Sequence, residues 1–472
     1  MSGATVVISP AGYSVAPTSG LYADAYSTYA TRVVDLATSS DVAGGTSRTV
    51  SVNGVTGTYQ CYKTIQYGIN DWLTQGGRRL IVKAGTHSMG ASLFMPAATG
   101  KTDTNRVVLM GDPAETAWPV IDFGGASNNF RPNWNADANF VTTRKMEFTN
   151  SSMIAAMIHA VAGLYSFQGL IIEYCHVHGI TRTDNDNGAG ICVEGESIGG
   201  TFNTGVIIRY NRVHDIHGSV TWSENLCGIQ SFHTPSAQVY RNEVYDTNCG
   251  IYQKGQPDTV VPGGWNIYGN VLHDLTTEGI RTSIQGAGQP GLFSGNKVYN
   301  NLFYAITGSA WASLVYETGG QCTDFQMYQN TIAEDVGGLF DANAVTNIDI
   351  HSNVSAASLE QVSLDGPGGG YANSLAECNY NAYYSAQGQN WYTHRYAGTV
   401  NYSSLSAWRS AYPTDTQLAA AADAASITFS SLSSVFTNAA TRNYAPLGAL
   451  IGAGKGGVNI GYDPATCGPG WS

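Results

Sequence analysis

Lys254 in NCGIYQKG and Arg281 in TEGIRTS stand 27 residues apart, in a chain of 472 residues with only 22 lysines and arginines. An amine beside a guanidinium is suited to removing a proton from a carbon next to a carboxylate. The neighbouring positive charge favours the neutral amine, and the guanidinium steadies negative charge as the proton leaves. Lys254 is therefore the candidate base, and Arg281 the candidate ligand of the carboxylate or helper of a departing oxygen. A second chemistry needs two carboxylates, about 5–5.5 Å apart for one stereochemical outcome and about 6.5–9.5 Å for the other. Glu194 with Glu224, or Asp186 with Glu224, are such candidates, with His217 and His233 as further acid/base groups. Asp184 and Asp186 in TDNDNGAG, with Glu194, offer the hard oxygen ligands expected for Ca2+.

Composition narrows the setting for this chemistry. Charged residues make up 12% of the chain, but 43% is hydrophobic and 28 residues are tyrosine, so a large core is expected rather than disorder. A net charge of −12 with no basic block excludes a nucleic-acid partner. No apolar run approaches the roughly 20 residues of a membrane span, so no membrane partner is expected. An acidic, turn-rich, charge-poor chain is expected to be secreted, extracellular and monomeric. The eight cysteines form no CxxC pair, which argues against a zinc ribbon or redox motif and for buried free thiols.

The elements that would hold these residues form a repeat. The phrases YCHVHGI, YNRVHDI, RNEVYDT, GNVLHDL, GNKVYNN and QNTIAED recur from about residue 165 onward. Asn211, Asn242, Asn270, Asn296, Asn330 and Asn353 return after 31, 28, 26, 34 and 23 residues, with Cys175 in the same place one turn earlier. A second phrase follows each: GAGICVEG, LCGIQSF, NCGIYQK, TEGIRTS, FYAITGS. Short alternating segments rich in Val, Ile and Tyr are strands. Returning at this period with no helix between them, they predict an all-β stack of parallel turns sharing one core. Asn suits the bend because it tolerates the left-handed backbone and can bond to its stacked copy.

The phrase Asn-x-Val-His/Tyr-Asp followed by Gly-Ile resembles the right-handed parallel β-helix proteins of the pectin-lyase-like superfamily. TIQYGINDWLTQGGRRLIVKAGTH is similar to their N-terminal capping helix and first strand, with Ile65, Ile69, Trp72 and Leu73 at helical spacing. ECNYNAYYS, SLSAWRSAY and NYAPLGALIGAGKGG resemble the C-terminal segment of secreted members. The resemblance implies an N-terminal extension over 1–60, a β-helix over 61–365 and a packing segment over 366–472. It also implies a polysaccharide groove along the Gly-Ile strands. A lysine followed one turn later by an arginine is similar to the chondroitinase B and alginate lyase family. That likeness implies β-elimination on an acidic, uronate-containing polysaccharide of alginate or pectin type. A glycoside hydrolase using the paired carboxylates, and a non-catalytic adhesin or fibre, are the alternatives.

Strand alternation sorts the side chains. With Ile191, Ile229, Ile251, Ile280 and Ile306 inward, the outward set is Cys192, Glu194, Gln230, Phe232, Tyr252, Lys254, Arg281, Ser283 and Thr307. Gln230, Phe232 and Tyr252 are the expected substrate-binding side chains, the aromatic faces suiting sugar rings. Cys227 and Cys249 are expected inward, one above the other. His178, His214, Tyr245, His273 and Tyr299, with Asp215, Asp246 and Asp274 after three of them, read as stacking of the fold rather than as an active site. Residues 125–160 are expected to leave the stack as an excursion.

Overall fold

A computed structural model describes residues 26–468 apart from 75–77, 96–100, 133–138, 153–155, 162–167, 183–187, 196–201, 219–224, 233, 256–262, 285–291, 318–320, 334–335, 344, 358–359, 366–374, 385–389, 395–399 and 412–423. The chain divides into two compact units, whose described residues are 26–220 with 228–238, and 225–227 with 239–468. Both are stacks of parallel β-helix turns.

In the first unit, Val107–Gly111, Val141–Arg144, Ile171–Glu173 and Ile207–Arg209 pair in parallel along one row. Pro119–Asp122, Glu147–Ser151, His176–Thr181 and Arg212–His217 form the next row. Residues 125–160 are therefore no excursion: their strands supply one member to each row, and Ala156–Val161 pairs with Gly188–Glu194. Length alone misled, because the turn carries its extra residues in loops between strands. The stack also begins upstream of residue 61, since Thr31–Val34 pairs with Arg79–Val82. Residues Ile65–Thr74 form a helix that buries Ile65, Ile69 and Trp72, with Leu73 half-buried.

The second unit repeats the scheme. Ile267, Val298, Met327 and Ile350 stand opposite one another and are at most 1% exposed. Their outward neighbours Tyr268, Tyr299 and Tyr328 stack with ring centroids 4.8 Å apart, the spacing that the strands impose (about 4.8 Å). A buried asparagine ladder turns each corner. Asn242 donates to the side-chain oxygen of Asn270, Asn270 to Asn301, Asn301 to Asn330, Asn330 to Asn353 and Asn353 to Asn381, every bond between 2.9 and 3.1 Å.

Two expectations about this corner are corrected. The ladder runs through Asn301, not Asn296, because NKVYNNLFYAI carries three asparagines and only the third directly precedes the stacked Leu302. Nor does the ladder asparagine take the left-handed backbone. The residue before it does: Tyr210, Arg241, Asn300, Gln329, Ser352 and Tyr380 have φ between 54° and 58°, and Gly269 has 64°. The asparagine is retained for its amide, which satisfies the chain above and below.

The register slip carries forward. Tyr304, not Tyr299, stands opposite His273, and Ser313, not Ile306, stands opposite Ile280. Thr307 is accordingly off the Arg281 row and exposed. Residues near the C-terminus cover part of the stack: Phe429, Phe436, Tyr444, Leu450, Ile460 and Tyr462 form one core with Leu302, Tyr304, Val354 and Ala382. Cys227 and Cys249 are buried, and the eight cysteines are thiols rather than disulfides.

Removing a rung should be costly. Asn330→Ala leaves the Asn301 amides without their acceptor and the Val298 carbonyl without its donor, so urea unfolding should show a loss of about 2–4 kcal/mol, from roughly 1–3 kcal/mol per orphaned buried group. Asn266→Ala, at a half-buried position off the ladder, should cost less than about 1 kcal/mol.

Candidate functional site

The strands Cys249–Gly255 and Ile280–Ile284, in the second unit, position the two candidate cations. Ile251 faces Ile280 across the parallel pair, which sets Tyr252 opposite Arg281 and Lys254 opposite Ser283. Both isoleucines are fully buried; by alternation Tyr252, Lys254 and Arg281 share the other side. Lys254 Nζ and Arg281 Cζ each lie 5.5 Å from the centroid of the Tyr252 ring. That is cation–π range.

Two further contacts orient the head groups. Lys254 Nζ donates to Asn225 Oδ1 at 3.1 Å, and Arg281 Nη1 donates to Glu278 Oε1 at 3.3 Å. The side chains of Arg281 and Glu278 are only 12% and 14% exposed, so this pair sits in a low-dielectric setting where charge is felt strongly. Along the same row Arg281 stands opposite Leu314, and Leu314 opposite Asp341. Glu278 and Asp341 are acids that reading the repeat did not find. Glu278 lies within TEGIRTS but two residues before the inward Ile280, so alternation gave it the inward parity, and Asp341 sits in GGLFDAN, which lost the phrase altogether.

The other sequence candidates fall into place differently. Gln230 and Phe232 belong to the first unit, where Gln230 is buried and Phe232 half-buried. Cys192, Tyr252 and Ser283 are also buried, so outward does not mean open here. Alternation decides which side of a strand a residue takes; it does not say whether another layer covers that side. Glu194 accepts a hydrogen bond from His159 Nε2 at 2.9 Å, and Cys192 lies within the same cluster. Imidazole and thiol are poor company for Ca2+, which takes oxygen ligands, and Asp184 and Asp186 lie outside the described residues. Glu224 and His233 lie outside them too. His217 is exposed and paired with Asp215, Nε2 to Oδ1 3.0 Å.

The His/Tyr ladder is stacking, and its aspartates have a backbone reason. Tyr245, His273 and Tyr304 lie face to face with centroids 4.8 and 4.6 Å apart. Asp215, Asp246 and Asp274 have φ of 56°, 51° and 51°, and the equivalent residues are Gly179 and Ala305, also left-handed. A short polar side chain is tolerated at such a position.

No family model and no curated protein matches the chain. Among solved structures it is similar to XylC, described in complex with xylose, at 11% identity and a TM-score of 0.45 over 71% of this chain and 83% of that one. Pectate lyase Pel9A aligns over 94% of this chain and 97% of its own, at 11% identity and a TM-score of 0.36. PfbA, a surface adhesin of Streptococcus pneumoniae, aligns over 71% and 89% at 8% identity and a TM-score of 0.32. Similarity at this level assigns no residue and no substrate.

His273 makes one site testable by pH. Burial pulls its imidazole down, but hydrogen bonds and charge from Asp274 and Glu243 outweigh it and hold its pKa above the ordinary value. Its contribution to stability is complete below the unfolded value of about 6.5 and is lost as pH rises through the higher folded value. Thermal midpoints should fall as pH rises from about 6.5, and His273→Gln should flatten that slope.

Proposed function

We propose that the protein is a secreted carbohydrate-active enzyme, a polysaccharide lyase that cleaves an acidic, uronate-containing chain by β-elimination. The observation that carries this reading is the pair of cations on adjacent strands, Lys254 and Arg281, beside one tyrosine ring. A uronate carboxylate would be held by the Arg281 guanidinium, drawing electron density from the neighbouring carbon. Lys254 Nζ would take that carbon's proton. The electron pair left behind forms a carbon–carbon double bond as the glycosidic carbon–oxygen bond breaks, and the departing oxygen takes a proton from the lysine ammonium or from water. Nothing is oxidised or reduced, and no step runs through calcium. Glu278 holds Arg281 in place, and Asn225 holds Lys254. In this reading the chain acts as a monomer outside the cell, and the helix Ile65–Thr74 closes the N-terminal end of a right-handed coil.

Hydrolysis is the second reading, favoured by Glu278 beside Arg281 and by Asp341 two strands along the same row. An inverting enzyme needs two carboxyl groups about 6.5–9.5 Å apart, and these two acids are the pair it would use. An adhesin needs neither group.

A panel of alginates, pectins and neutral glucans separates the three. Lysis yields unsaturated ends that absorb in the ultraviolet, and Lys254→Ala should then lower kcat by about 10²-fold or more, the usual worth of a general base. Arg281→Lys should raise KM and lower kcat together. Reducing ends without that absorbance would overturn the lyase in favour of the hydrolase, with Glu278→Gln and Asp341→Asn then inactive. No cleavage of any polymer would leave the adhesin.

A further inference from the structure

In the first unit, like-on-like stacking accounts for His178 and His214, which stand opposite each other with ring planes 6° apart. It does not account for His176. That residue stands opposite Glu147 on one side and Arg212 on the other, yet its ring leans along the diagonal until Nε2 lies 2.7 Å from His214 Nε2. Three imidazoles thus converge, with centroids 4.3, 4.9 and 5.1 Å apart. Glu147 completes the group: its Oε1 is 3.1 Å from His178 Nε2, and its Oε2 is 4.0 Å from His176 Nδ1. Thr149 Oγ1 lies 3.4 Å from His178 Nδ1, on the ring nitrogen turned away from the carboxylate.

We infer that Glu147, His176, His178 and His214 form a binding site for a divalent transition-metal ion of the zinc type. Imidazole and carboxylate are the donors such ions prefer. Donors bound at about 2.0–2.1 Å in a tetrahedron lie roughly 3.3 Å apart; the nitrogen–oxygen pairs at 3.1 and 4.0 Å stand on either side of that spacing, and the nitrogen pair at 2.7 Å is shorter than it. Ligand atoms of Glu147, His176 and His178 all lie within 4.8 Å of one another. The four residues are half-buried, open enough for an ion to enter and dry enough to hold it. The Arg212 guanidinium opposes a cation here, and Glu147 supplies the compensating negative charge.

The strands that carry the cluster explain its origin. Positions 176 and 178 are two apart on one strand and so share a face, and parallel register sets 147 opposite 176 on one neighbouring strand and 214 opposite 178 on the other. The inference does not depend on the lyase reading, and its test does not use activity.

The untagged full-length chain, stripped with a chelator, is titrated with Zn2+ by calorimetry and with Co2+ by visible spectroscopy. One equivalent should bind, and Co2+ should show the intense bands of a tetrahedral site. His178→Ala and His214→Ala should each weaken Zn2+ by more than the roughly 10–100-fold that loss of an outer-shell partner costs, and Glu147→Gln should weaken it while leaving the fold intact. His159→Ala, in the separate His159, Cys192, Glu194 group, should leave binding unchanged. If either alanine variant fails to fold, His178→Gln with Glu147→Gln carries the test. Absence of stoichiometric binding, binding that survives these substitutions, or loss of binding in His159→Ala instead would overturn the site.

Discussion

Each side chain in a parallel stack meets its counterpart one strand away at about 4.8 Å, and nearly everything else in this protein follows from that repeat distance. Apolar groups at that spacing make a continuous core, as Ile267, Val298, Met327 and Ile350 do. Flat rings make stacks. Amides make ladders, since Asn can accept from the turn on one side and donate to the turn on the other. Like charges would repel at every rung, which is why a chain only 12% charged is suited to this architecture.

Charge that remains must be compensated locally. Lys145 is 1% exposed, yet its ammonium donates to the backbone carbonyls of Asp112, Pro113 and Glu115, and burial pulls its pKa down to about 8. Glu173 accepts from Arg209. Lys254 and Arg281 share the Tyr252 ring, and Glu278 accepts from Arg281. The proposed binding of an acidic polymer relies on these two cations, on a protein whose overall charge is −12. The electrostatics relevant to binding are those within a Debye length of the group, about 8–10 Å in ordinary salt.

The convergence of His176, His178, His214 and Glu147 shows the same geometry used differently. Register brings residues of unlike type onto neighbouring strands, and the diagonal between rows is short enough for ring nitrogens to meet. A stack built for repetition thereby makes a non-repeating cluster wherever one turn departs from the pattern, as YCHVHGI does by placing histidine two residues before the ladder histidine.

By itself the sequence determined the parallel repeat, the inward isoleucines and the adjacency of Lys254 and Arg281, because period and alternation are local properties of a strand and survive without knowledge of what packs on it. It also led to Asn296, Tyr299 and Thr307, where two phrases compete within NKVYNNLFYAI and only pairing with Val271–Leu275 and Ile280–Ile284 selects the register. Tertiary structure alone decided that Tyr252 and Gln230 are covered, that Glu278 meets Arg281, and that His176 turns toward His214. Those facts depend on side-chain directions and on layers laid over the strands, and neither is encoded in the spacing of residues along one turn.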